Sequence, residues 1–197
     1  MTAVSVADEL HRRAALLGVA AAGVTLQLIQ HEDATPTYQY FTVWSAATLC
    51  VYGSGVLARF HVDDSLLRTA GSTGAVFSAL VYLLVLAPAT GLGHQALTII
   101  ANVVLHVVLP TLVVVLHLGH QRWAISPRAI TLALALPVAY LAYSMFTTAV
   151  LGLPPAYAFL DAKQVGRPGM LAAVTGAAVA YVLVAWLLSQ IVRHRAR

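Results

Sequence analysis

Charge is what this chain has least of. Asp, Glu, Lys and Arg make up 9% of its 197 residues, against roughly 25% in a soluble domain. With 60% hydrophobic residues, too little polar surface is present to cover a water-soluble globule, so the composition puts the chain in a bilayer. Cysteine is almost absent. The one residue, Cys50, rules out an internal disulfide, and no Cys/His spacing fits zinc. The seven carboxylates all lie outside the centres of the apolar segments. That leaves no buried acid pair and too little intramembrane charge for a coupled ion transporter. No period-two alternation appears, which argues against a membrane β-barrel. There is no internal repeat, low-complexity tract or second domain.

What is present is long apolar runs. A spanning helix needs about 20 mostly apolar residues. Six segments qualify, near 13–30, 37–60, 70–89, 96–118, 129–151 and 169–192. The expected fold is all-α, a single integral membrane domain over 1–197 built as a six-helix bundle. Thr35-Pro36 and Ser126-Pro127 read as capped helix starts. Gly91 and Gly93 separate the third and fourth spans, and Pro154-Pro155 and Pro168-Gly169 bracket a long loop. The first span follows His11-Arg12-Arg13 but ends without a small-residue cleavage pattern, so it reads as a retained helix.

The formal net charge of +4 reflects orientation, not nucleic acid. One side of a six-span arrangement collects Arg12, Arg13, Arg59, Arg68, Arg122, Arg128, Arg193, Arg195 and Arg197. The other holds only Lys163 and Arg167. The positive-inside rule then puts both termini in the cytoplasm. The chain is therefore expected to be an integral, multi-pass membrane protein.

Ionisable residues at membrane depth mark functional sites. Of eight histidines, His11, His31, His61, His94, His120 and His194 sit at or near span ends, and His117 lies close to one. Only His106 is central. It belongs to "ANVVLHVVLP", 101–110, where Asn102 stands one turn before it and Pro110 one turn after. Pro110 has no N–H, so a kink and a freed His106 carbonyl are expected. The plainer reading is a polar interhelical contact beside a shaping kink.

Two other clusters stand out. "YQYFTVWS", 38–45, puts Thr42 and Ser45 on one face among interfacial aromatics. Taken alone, Thr42 reads as structural, its hydroxyl bonding the Tyr38 carbonyl four residues back. The loop "LPPAYAFLDAKQVGRPG", 153–169, carries Tyr157, Phe159 and Asp161 and reads either as a lid or as an interfacial anchor. Tyr140 and Tyr143 either line the same cavity or pack ordinarily.

Together these pieces resemble the androgen-induced-gene family of six-span membrane proteins and its bacterial relatives. "YFTVWS", "NVVLHVVLP", "PVAYLAYS" and "AYAFLD" occur in that family's order and cover most of the chain from the second span onward. The animal members are threonine hydrolases that cleave fatty acid esters of hydroxy fatty acids. The resemblance implies Thr42 as nucleophile and His106 as its histidine. It aligns Asn102 with the family's Asn and Tyr157–Asp161 with its loop motif. Ala158 and Ala46 depart from the pattern, where Pro and Asn are usual.

Chemically, a threonine hydroxyl needs an adjacent base, and His106 is the candidate. No acid lies at its depth, so a dyad is expected. Asn102, Ser45, Tyr143, Tyr157 and Asp161 are the candidates for binding substrate or the oxyanion. Thr42 lies about five residues into its span and His106 about ten, an axial gap of roughly 7 Å. No cofactor is expected. The partners expected are the bilayer and a lipid or long-chain ester. A haem-binding electron carrier is the main alternative, although His106 has no central histidine partner. A non-catalytic transporter or scaffold is the other.

Overall fold

The computed structural model describes residues 6–29, 37–55, 64–91, 95–119 and 127–194. Among them there is no strand, and the elements form six helical rods. Helix α1 is Val6–Ile29. After a 3₁₀ turn at Thr37–Gln39 comes α2, Phe41–Ser54. Helix α3 is Asp64–Val81, continued by a π turn at Tyr82–Leu86 and a last turn at Ala87–Thr90. Helix α4 is Ala96–Val103, a π turn at Val104–Val108, and Leu109–Gly119. Helix α5 is Pro127–Ala133 and Ala135–Leu151, joined at Leu134. Helix α6 is Ala162–His194. The all-α polytopic bundle is therefore as expected.

Five of the rods are long and apolar enough to cross a membrane. The exception is α2. Its 14 residues span about 21 Å, short of the roughly 30 Å hydrocarbon layer. Of the expected span over 37–60, the described residues give the 3₁₀ turn and this helix, ending at Ser54. It opens with a 3₁₀ turn and stops where Gly55, at φ 63°, turns its N–H back to the Tyr52 carbonyl. Helix α1 starts earlier than expected because its first turns are amphipathic. Arg13 bridges to Glu9 one turn back at 3.2 Å, which holds those turns helical. Helix α6 also starts earlier, but Gly166 (φ 71°, ψ 161°) breaks it, and the straight part begins beside Pro168. The readings at Thr35-Pro36, Arg59, His61, Gly93, His94, His120, Arg122 and Ser126 lie outside the described residues.

Neighbouring helices run antiparallel, so the bundle has a terminal end, where α1 starts and α6 finishes, and an opposite loop end. Near the terminal end the packing is dense. Leu16, Leu49, Tyr52, Leu105, Leu109 and Val113 form one buried cluster from α1, α2 and α4. Small residues allow the approach. A Cβ at Gly53 would come 2.9 Å from the Arg13 backbone oxygen, and one at Gly74 would collide with the Ser45 hydroxyl. The Tyr181 hydroxyl donates to the carbonyls of Ala70 (3.1 Å) and Ala133 (3.2 Å), tying α6 to α3 and α5. His117, expected near a solvated end, is instead 1% exposed. Its Nδ1 is 2.9 Å from the Val113 carbonyl of its own helix.

Candidate functional site

Toward the loop end the helices part around a cavity of about 660 Å³. Most of its wall is apolar, with Val81, Leu86, Leu105, Val138 and Leu141 among the lining residues. Into it come Thr42, Tyr82, Asn102, His106, Tyr140 and Tyr157. The surrounding wall is thus suited to hydrocarbon, with a few polar groups to orient a ligand.

Thr42 reaches the cavity from the second residue of α2. Three hydroxyls on this helix have different fates. Ser45 donates to the Phe41 carbonyl at 3.0 Å and Thr48 to the Trp44 carbonyl at 2.8 Å. Thr42 makes no such bond, and the Tyr38 carbonyl expected to accept from it takes the Trp44 indole N–H at 2.9 Å instead. The Thr42 hydroxyl is therefore not committed to its own helix. It meets the Tyr157 phenol, which also accepts the Phe41 backbone N–H at 3.2 Å. That bond satisfies one of the open donors at the start of α2.

Tyr157 closes the cavity from the loop. Ala156, Tyr157, Phe159 and Leu160 all line it, and the Tyr157 and Phe159 rings stack at 5.2 Å. Of the two readings of this loop, the lid is the one the lining supports. Burial pushes the Tyr157 phenol up to about 12, even though its hydrogen bonds to Phe41 and Thr42 favour the ionised form. It is therefore a neutral hydroxyl at ordinary pH and not a base.

His106 reaches the cavity from the π turn of α4. Pro110 supplies no N–H, and the ladder adapts by widening: the Leu109 N–H bonds the Val104 carbonyl, five residues back. The irregularity expected at Pro110 thus takes the form of a wider turn. The imidazole stacks on Tyr82 of α3, ring centroids 4.0 Å apart and planes 7° from parallel. It also bonds the Ser78 backbone. Nδ1 is buried and has no partner, so the Ser78 bond belongs to Nε2. A backbone carbonyl accepts, so Nε2 carries the hydrogen and Nδ1 the lone pair.

Four of the expected site residues thus share one cavity: Thr42, His106, Asn102 and Tyr157. Among the described residues no hydrogen bond joins Thr42 to His106; the cavity lies between them. Three expected residues are elsewhere. Ser45 is fully buried against α3 at Gly74, its hydroxyl already donated. Tyr143 faces a separate apolar groove with Tyr38 and Trp44, because α5 turns that side outward. Asp161 caps α6, its carboxylate accepting the Lys163 N–H at 2.9 Å and the Gln164 amide at 3.1 Å. Tyr82 was missed. Its signals were a tyrosine inside a span, one turn after Ser78, and a proline six residues on, the same offset that separates Val104 from Pro110.

The ring stacked on His106 is Tyr82 and not a second histidine. No family model, curated protein or solved structure matches the chain.

Proposed function

We propose that this protein is an intramembrane lipid-ester hydrolase with Thr42 as nucleophile and His106 as general base. One observation carries the reading. A threonine hydroxyl not bonded to its own helix and an imidazole nitrogen without a partner border the same mostly apolar cavity. The resemblance of the chain's motifs to those of the threonine hydrolases supports it. So does the wall, which suits long acyl chains, with the ester held at the polar groups.

In this reading the substrate ester lies between the two side chains. Thr42 Oγ attacks the carbonyl carbon and His106 Nδ1 takes its proton. The carbonyl π electrons move to oxygen, and the alcohol leaves with the proton from Nδ1. Water, deprotonated by the same nitrogen, then hydrolyses the acyl-threonine and regenerates Thr42. The arginine bias supports a bacterial cytoplasmic membrane with both termini inside, so reaction water enters from the outer face.

The test is hydrolysis of long-chain fatty acid esters by the purified protein in proteoliposomes. Activity is expected in the wild type and at least about 10³-fold less in Thr42→Ala and His106→Ala. Equal activity in all three would remove both roles.

A further inference from the structure

We propose that Tyr82 donates the hydrogen bond that stabilises the carbonyl oxygen as it becomes an oxyanion. This rests on the roles given to Thr42 and His106. It assigns a donor outside the candidates that the sequence suggested.

Helices α3 and α4 carry the same irregularity at the point where they meet. Each widens into a five-residue π turn, Tyr82–Leu86 and Val104–Val108. In each, a proline lies six residues after the first residue of that turn, Pro88 and Pro110. Such turns interrupt the regular ladder and frequently sit at functional sites. Here they carry the two stacked rings, Tyr82 as the first residue of one turn and His106 as the third of the other.

The polar atoms of this pair are left open together. The Tyr82 hydroxyl and His106 Nδ1 are both buried and both lack a hydrogen-bond partner, and both residues line the cavity. A buried polar group left open costs stability. A donor and a lone pair on two stacked rings fit a ligand that presents both an acceptor and an acidic hydrogen. An ester carbonyl under attack by a threonine hydroxyl presents both. The hydroxyl proton goes to Nδ1 and the phenol O–H donates to the carbonyl oxygen, keeping its own hydrogen throughout.

Two other hydroxyls have donated their hydrogens elsewhere, Ser45 to its helix and Tyr140 to the Gln39 carbonyl at 2.7 Å. Tyr157 accepts the Phe41 N–H and meets Thr42, so it stands on the nucleophile's side. Tyr82 lies against the base itself, so a carbonyl placed for attack is within the same polar end of the cavity.

The test compares Tyr82→Phe with Thr42→Ala on one long-chain ester. Phenylalanine keeps the ring and its stacking but loses the donor. Tyr82→Phe is expected to lower kcat about 10²-fold with KM within about threefold, at unchanged thermal stability in detergent. A series of fluorinated tyrosines at position 82 is expected to change kcat in step with phenol acidity, which a purely structural ring would not do. If Thr42→Ala abolishes hydrolysis while Tyr82→Phe retains wild-type kcat, the Tyr82 assignment alone falls. If hydrolysis survives Thr42→Ala, the nucleophile and the donor assignment fall together.

Discussion

His106 and His117 stand on one helix, both buried, and differ in what their ring nitrogens meet. His117 has its Nδ1 on the carbonyl one turn back, in the close-packed terminal half. His106 has Nδ1 open at a cavity, in the half where two helices have given up regular geometry. Both rings are buried, and of the two only His106 borders the cavity. The hydroxyls of α2 repeat the contrast, with Ser45 and Thr48 bonded to their own backbone and Thr42 not. A buried polar group in a membrane helix is normally satisfied within its own helix or by a neighbour. Of the buried groups left without a partner, His106 Nδ1 and the Tyr82 hydroxyl belong to residues that line the cavity.

The largest expected effect breaks the histidine pair apart. His106→Ala should lose at least about 10³-fold in ester hydrolysis, while His117→Ala stays within about threefold and loses thermal stability instead. Comparable activity losses in both would show that burial, not availability, matters. The next prediction concerns the π turn. Pro110→Ala restores an N–H and allows α4 to close into a regular helix, which re-aims His106. Activity should fall about tenfold with no loss of thermal stability, read from paired kinetic and melting measurements.

A smaller effect is expected at the lid. Tyr157→Phe leaves the Phe41 N–H without its acceptor, a cost of about 1 kcal/mol. It also changes the response to alkali. The Tyr157 phenol stands at about 12 when folded against its ordinary value of 10. Its contribution is whole below pH 10 and is lost as the pH rises to about 12. Wild-type melting temperatures should fall across that window more steeply than those of Tyr157→Phe. The smallest effects belong to groups outside the cavity. Thr48→Ala should keep kcat within twofold, and Asp161→Ala should cost about 1 kcal/mol of stability through the lost cap with little change in kcat.

The bundle was legible in the sequence because bilayer solvation demands long apolar runs, and hydropathy reads those directly. The length of α2 was not, because Gly55 ends it through a backbone conformation that hydropathy does not register. Thr42 and His106 were paired only through the resemblance of the ordered motifs; residue types alone left Thr42 bonded to Tyr38. Pro110 announced an irregularity but not its form, since whether a helix kinks or widens depends on what packs against it. Tyr82 drew no notice because a tyrosine in an apolar span is ordinarily packing, and only its stacking on His106 sets it apart. Asp161 carried both signals at once, an acid in a loop motif and a residue before a helix, and the contacts favour the cap.

The central claim is that Thr42 is the nucleophile, and a covalent adduct tests it most directly. A long-chain fluorophosphonate reacted with the membrane-reconstituted protein, followed by peptide mass spectrometry, locates the modified residue. The account predicts a single adduct on Thr42, absent in Thr42→Ala and formed at least about tenfold more slowly in His106→Ala. An adduct on another residue, or labelling that persists unchanged in Thr42→Ala, would contradict it.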